Sequence, residues 1–316
     1  MSIATQALAA SFPAIVKDMR GGAHNQWGNN AFLKALQRKG FIEKTGIGSS
    51  IDVPLDFQAN ASAQVLATDF GDSGLTQTEI LSAATYAPAP VSASRVWTKM
   101  DEAKNSSKQQ KVNFVKQLGR NLLDSHDNLM ETVLADTTSQ SLLGVRSVIT
   151  EDGTGTIGGV VAGTDTWWKN AFAEYTDSTD LLAKLTAGYV AVQRGAGSSI
   201  GGSEPTLILT NTTSYGVFFG TQVTNQRFVN TQKADVGFDS LGFINAEIIF
   251  SNKVDTTDEA FYMLSPDAIK LVVSSEFYRA LGDVAEINGK QAYEAKLFTV
   301  CQLVLMVRNA TAIVFS

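Results

Sequence analysis

Few residues in this chain could do chemistry, and their spacing narrows the options quickly. Gly153-Thr154-Gly155-Thr156-Ile157-Gly158 matches G-x-G-x-x-G. That pattern cradles a dinucleotide pyrophosphate when a strand precedes it and a helix opens at the last glycine. Here Gly159 to Thr166 contains Gly163, two valines and turn formers, with no helical stripe. The reading is a Gly-rich surface loop anchored by Trp167 and Trp168, not a cofactor site. His24 and His126 are the only histidines, which leaves few general bases, and no serine sits in a G-x-S-x-G elbow. Cys301 is the single cysteine and lies in an apolar run. An intrachain disulfide and a multi-thiolate metal site are excluded, and a small buried hydrophobe is expected. The carboxylate pairs Asp177/Asp180 and Asp255/Asp258 fall among turn and capping residues, where solvated or helix N-terminal roles are the expectation. No catalytic residue, cofactor or metal is expected, and the chain does not read as an enzyme.

The elements around these residues imply a chain built for packing. The 316 residues, 44% hydrophobic and 18% charged, allow about two domains on a prior of ~100–200 residues each. Lys99 to Asp136 reads as one long helix, because Val115, Leu118, Leu122, Leu129 and Val133 form an apolar stripe. His126 falls on that stripe and is expected to be a hydrogen-bonded core histidine. A second helix runs from an N-cap at Ser178 through Leu182, Leu185, Tyr189 and Val192 to Gly195. Strands are expected at Thr206–Thr210, Asn245–Phe250, Phe261–Leu264, Ala268–Val273 and within Leu297–Phe315, with a short helix at Asn211–Gln222. Strands and helices without regular alternation indicate an α+β chain. The longest apolar run, Leu297 to Val307, is interrupted by Gln302 and falls far short of the ~20 residues of a membrane span. Met1 to Val16 lacks a basic n-region, so no secretory signal is expected.

Charge is unevenly placed. The net charge is −6, yet within residues 1–50 Lys17, Arg20, Lys34, Arg38, Lys39 and Lys44 face only Asp18 and Glu43, giving +4. This segment, with a short helix at Ala31–Lys39, reads as a basic arm that orders on a partner and meets something anionic. Ile51 to Gln58 alternates apolar and polar residues, a half-buried strand that Pro54 assigns to an edge. A second strand at Gln64–Thr68 leads to a turn at Asp69–Gly74, and the chain returns through Leu75 to Pro90, completing a projecting hairpin. From Thr45 to Ser94 there is no Lys or Arg, while Asp52, Asp56, Asp69, Asp72 and Glu79 make the segment acidic. The start of the long helix is basic: Lys99, Lys104, Lys108, Lys111, Lys116 and Arg120 against Asp101 and Glu102.

The order of these pieces resembles the major capsid proteins of tailed bacteriophages, the HK97-fold family. The likeness covers most of the chain, most strongly from Asn105 onward. It rests on Lys104-Asn105 at the opening of the long helix and Leu134-Ala135-Asp136 near its end. It rests also on Thr156-Ile157-Gly158-Gly159 leading to Trp168-Lys169-Asn170, and on Thr206–Thr210 before Tyr215 and Arg227-Phe228. Phe243–Phe250 before Phe261-Tyr262-Met263-Leu264-Ser265-Pro266, and the closing Leu303–Ala310, complete it.

The resemblance implies an α+β, HK97-like capsid fold. Its parts would be an N-terminal arm at 1–50, an extended E-loop hairpin at 51–94 and a P-domain with a long spine helix at 95–147, completed by about 266–302. An A-domain at 148–265 would be completed by about 303–316. It implies a structural protein that assembles in the host bacterial cytoplasm as hexamers and pentamers. The product would be the icosahedral virion shell around phage double-stranded DNA, with a portal as partner and no membrane. Residues 1–50 are short for the cleaved scaffolding domain of some members, so a separate scaffolding protein is expected. Some members cross-link an E-loop lysine to a neighbour, and this E-loop has none. Ile51, Val53, Leu55, Phe57, Asp69, Asp72, Lys104, Lys108 and Lys111 are expected at the intersubunit interface, the hairpin acids meeting the helix lysines across the boundary and the Ile51-to-Phe57 strand supplying apolar burial. Arg38, Lys39 and Lys44 would face the lumen. The alternative is an encapsulin-like nanocompartment packaging cargo enzymes; an α+β enzyme is third.

Overall fold

The computed structural model describes residues 30–58, 65, 80–105, 108–136, 141–195, 203–224, 242–254 and 259–316. The chain opens with helix α1 (Ala31–Arg38), strand β1 (Ile42–Thr45) and the ribbon β2 (Ile51–Asp56) and β3 (Leu81–Tyr86). Strand β4 (Ala89–Thr98) leads to helices α2 (Lys99–Lys104), α3 (Lys108–Asp136) and α4 (Val145–Val148). A loop with the small ribbon β5 (Thr156–Ile157) and β6 (Val160–Val161) reaches β7 (Ala171–Glu174) and helix α5 (Leu181–Arg194). Next come β8 (Leu207–Thr210), helix α6 (Thr212–Thr224), β9 (Gly242–Phe243), β10 (Ala246–Phe250) and β11 (Ala260–Leu264). The last part holds β12 (Ile269–Ser274), β13 (Ala280–Leu281), β14 (Ala285–Glu286), β15 (Ala292–Leu305) and β16 (Ala312–Phe315).

These strands form two six-stranded sheets. In the first, the order is β1-β12-β15-β13, with β14 and β4 also on β15. Residues of β15 alternate at first: Ala295, Leu297 and Thr299 point inward, between exposed or half-buried Lys296 and Phe298. Helix α3 covers this face, setting Val115, Leu118 and Leu122 against Trp97, Tyr293, Ala295 and Leu297. The helix face drifts along its length, so Leu129 is 41% exposed and Met130 is buried in its place. His126 is buried as expected, with Nε2 3.0 Å from Thr299 Oγ1.

The second sheet runs β7-β16-β11-β8-β10-β9. Leu207, Leu209, Tyr262, Leu264 and Ile313 point to the large core shared with the first sheet. Ile208, Ile248, Phe261, Met263 and Val314 pack with Leu185, Tyr189 and Val192 of α5. Burial on both faces explains why these strands read as unbroken apolar runs.

Three expectations are corrected. The stretch 99–136 is two helices. Thr98 and Asp101 form a capping box at the start of α2, and the Asn105 side chain donates to Asp101 O at 2.8 Å, closing it. The N-cap of α5 is Asp180, not Ser178, and its side chain makes no cap hydrogen bond. Asp177 Oδ1 accepts the Thr179 and Asp180 N–H groups at 2.8 and 3.3 Å and so holds the turn that leads into the helix. The described part of the N-terminal arm folds on its own chain. Phe32, Leu33, Ala35, Leu36 and Phe41 are buried, and β1 lies parallel to β12. Its short apolar stretches find a core that the rest of the chain supplies.

Candidate functional site

The loop from Thr150 to Asn170 is built around one buried cation. Strand β15 ends at Leu305, and the chain crosses to β16 in the other sheet through a turn at Arg308–Ala310. Arg308 is fully buried at that crossing. Its guanidinium donates to Trp168 O at 3.2 Å, Thr154 O at 2.6 Å, Thr150 Oγ1 at 3.2 Å and Asn170 Oδ1 at 3.2 Å. Among the described residues no carboxylate pairs with it, and burial brings its pKa down to about 10. It therefore stays charged at neutral pH and is held by oxygen dipoles. Asn170 closes the loop at its ends by donating to Thr150 O at 2.7 Å and accepting from Thr150 N–H at 3.2 Å. The indole N–H of buried Trp168 donates to Ile157 O at 3.2 Å.

That loop carries the base of the β2–β3 hairpin. Thr85 N–H donates to Gly158 O at 2.9 Å. Gly158 has φ +61°, and a Cβ there would come within 2.7 Å of Ala84 Cβ and 2.9 Å of Tyr86 Cζ. So Gly158 meets two demands, a left-handed backbone and close approach of the hairpin. Phe57 stacks on Trp167 with centroids 4.6 Å apart and planes 15° apart, and Trp167 meets Trp168 edge-on. The Tyr86 hydroxyl donates to Leu305 O at 3.1 Å, and burial raises its pKa, so it stays neutral. The G-x-G-x-x-G stretch thus runs through one short strand, Thr156–Ile157, into a turn at Gly158, which the hairpin covers. No helix opens there for a phosphate to meet.

The expected interface residues divide. Val53 and Leu55 are buried in the chain's own core, and Ile51 is half-buried against it. Their apolar face was expected to pack on other copies. In the structure that face belongs to the chain's own large core, because alternation requires a covered face without saying whose. Pro54 stands on the edge strand as expected, since β2 pairs only with β3 among the described residues. Asp52 and Asp56 are exposed beside it. Asp69 and Asp72 lie outside the described residues, as does the expected strand at Gln64–Thr68 apart from Val65. Lys104 is exposed at the end of α2, and Lys108 and Lys111 fall in the first turn of α3.

The basic arm is partly neutralised within the chain. Arg38 and Lys39 reach Glu247 of β10 at 2.6 and 3.4 Å. Lys44 is exposed and lies over the Tyr278 ring, 5.0 Å from its centroid. Sequence reasoning passed over Arg308, Gln302, Glu131 and Glu247, whose partners are remote in sequence. Gln302 donates to Ala87 O and Ser141 O at 2.6 and 2.9 Å and accepts from Leu143 N–H at 2.9 Å. For Gln302 and Arg308 a signal existed: a polar group within an apolar stretch must have buried partners.

The Cys301 thiol is buried and pushed up to about 12. Among the described residues no group of three or more His, Cys, Asp or Glu is placed to hold a metal. No described helix is long and apolar enough to cross a membrane.

No family model and no curated protein matches the chain. Solved structures do. The cyanophage A-1(L) capsid asymmetric unit matches with a TM-score of 0.67 at 15% identity, over 93% of this chain and 94% of that one. The capsid of the native GTA particle matches with 0.61 at 10% identity, over 93% and 92%. The holo-SrpI encapsulin complex from Synechococcus elongatus matches with 0.57 at 11% identity, over 95% and 94%. At such identities the likeness is one of fold: α+β, resembling the HK97-type capsid architecture. The structures it resembles are capsids and an encapsulin complex.

Proposed function

We propose that this chain is a phage major capsid protein that assembles through hexamers and pentamers into an icosahedral shell around double-stranded DNA. The observation that carries this reading is the end-to-end likeness to the cyanophage capsid subunit, 93% of this chain at a TM-score of 0.67. The site adds a physical reason. The loop and Arg308 fix the base of an acidic hairpin, and such a base can aim a projecting segment at a neighbour. In this reading the hairpin is the E-loop, and the first sheet with α3 is the P-domain. The second sheet with α5 is the A-domain. Sheet membership supports most of these boundaries: β12 to β15 join the first sheet and β11 and β16 the second. Strand β4 (Ala89–Thr98) also joins the first sheet and so moves the end of the hairpin back from 94 to about 86.

The acids of the hairpin, Asp69 and Asp72 among them, would meet Lys104, Lys108 and Lys111 of an adjacent copy. Each exposed pair contributes only ~0–1 kcal/mol, but the contact repeats at every subunit. Arg38, Lys39 and Lys44 would face the lumen. With Arg38 and Lys39 engaged by Glu247, Lys44 is the residue of the three best placed for phosphate. A scaffolding protein and a portal are the further partners, and the product is a virion capsid assembled in the host bacterial cytoplasm.

The second reading, an encapsulin-like compartment with enzyme cargo, is favoured by the match to the encapsulin complex. Electron microscopy of the purified chain tests the shared premise: closed particles are expected, and a small oligomer that turns over a substrate overturns it. Nuclease-protected DNA inside the particle selects the capsid, and protein cargo selects the compartment.

A further inference from the structure

Helix α1 is held at both ends by carboxylates from elsewhere in the chain. It has only eight residues, too few to persist alone in water. Asn30 at its N-cap makes no side-chain cap hydrogen bond. Glu131 of α3 supplies the missing acceptor: one carboxylate oxygen takes the Leu33 N–H at 3.4 Å, and the Phe32 N–H also points to this carboxyl. The other oxygen takes the Ser251 hydroxyl, just past β10, at 2.8 Å. Glu131 is only 1% exposed. At the other end Arg38 and Lys39 bind Glu247 of β10. Helix α3 belongs to the first sheet and β10 to the second, so α1 spans both.

We infer that α1 is a strap joining the two sheets, and that a single proton on Glu131 sets how tightly it is docked. When α1 is docked, the carboxyl is shut away from water; when α1 lifts, it regains solvent. Desolvation raises the pKa of the docked group, against the lowering effects of Ser251, the two helix N–H groups and Lys253. The sign follows. A carboxyl with a higher pKa docked than undocked binds its proton more readily docked, so falling pH favours docking. Rising pH through the docked pKa leaves a desolvated charge that undocking relieves. The end at Arg38 stays fixed, because a guanidinium keeps its charge throughout.

Lys253 acts on the carboxyl directly, and the elements packed against it carry other charges. Helix α1 brings Lys34, Arg38 and Lys39, and the β10 side brings Glu247 and Lys253. Helix α3 brings Asp124, His126 and Asp127, of which Asp127 is bound by Arg279 at 2.6 Å. His126, hydrogen-bonded to Thr299, is an ionisable group on the same helix. The test must therefore separate it from Glu131.

Hydrogen exchange on the full chain, corrected for the intrinsic pH dependence of exchange, reads the docking equilibrium. Protection of the amides of 33–38, relative to α5, should fall with rising pH above the ordinary glutamate range. The slope should be at most about tenfold per pH unit, the limit for one linked proton. Glu131→Gln, which keeps the shape without the proton, should make that protection flat with pH. A flat wild type, or an unchanged slope in Glu131→Gln, overturns the inference, the latter assigning the slope to His126 or another group. Should Glu131→Gln fail to fold, Ser251→Ala decides. Losing a donor that lowers the docked pKa must move the window to higher pH, and an unmoved window refutes the strap. None of these outcomes depends on whether the chain forms a shell.

Discussion

Replacing Gly158 by alanine tests whether the loop carries the hairpin. Two effects act at this position. The φ of +61° places any L side chain in the left-handed region, which costs about 1–2 kcal/mol. The added methyl would stand 2.7 Å from Ala84 Cβ and 2.9 Å from Tyr86 Cζ, and such overpacking costs about 1–3 kcal/mol. Gly159 next to it isolates the first effect. Its φ is +82°, but nothing lies within 4 Å of a Cβ there. Gly159→Ala should therefore lose only the backbone part, and Gly158→Ala about 1–3 kcal/mol more. Urea unfolding followed by tryptophan fluorescence gives both numbers and also watches Trp167 and Trp168 in the same loop. Adding Ala84→Gly to Gly158→Ala removes the closest contact and should recover part of the difference, while Tyr86 retains the rest. Equal losses at Gly158 and Gly159 would refute the docking of the hairpin on this loop.

Other expectations follow from charge and burial. Because no lysine lies between Thr45 and Ser94, particles boiled in detergent should run as a single band near 33.8 kDa; a ladder of covalent oligomers would show another amine at work. Lys108→Glu with Lys111→Glu should slow or abort assembly at low salt, and adding Asp69→Lys with Asp72→Lys should partly restore it, as followed by light scattering. Assembly of the double reversal at the wild-type rate would leave that helix face merely solvated. Cys301, its thiol buried and raised to about 12, should resist a thiol reagent at pH 8 until denaturant is added. Rapid labelling of the native chain would contradict the packing of β15.

Much of the local structure was legible in the sequence, because it depends on neighbours in the chain. The alternation of Ile51 to Gln58, the stripe through Val115, Leu118, Leu122 and Val133, and the stop at Gly195 follow from backbone periodicity and φ preference. The order of segments also sufficed to suggest the fold that the two sheets adopt.

What only the tertiary structure decided is where each element's partner lies. Period two required a covered face for Val53 and Leu55, yet the core they join also holds Ile157, Val160 and Trp168, some hundred residues away and in no local pattern. Gln302 interrupts an apolar run for a reason visible only once β15 lies beside Ala87 and Ser141. Arg308 looked like the end of a strand and is the buried brace of a loop that begins at Thr150. Glu131 sat unnoticed in the acidic half of a helix, because capping is normally sought within a few residues and its target, Leu33, is 98 positions earlier. Hydrogen bonds and desolvation act through space, so a buried polar group announces that partners exist without naming them.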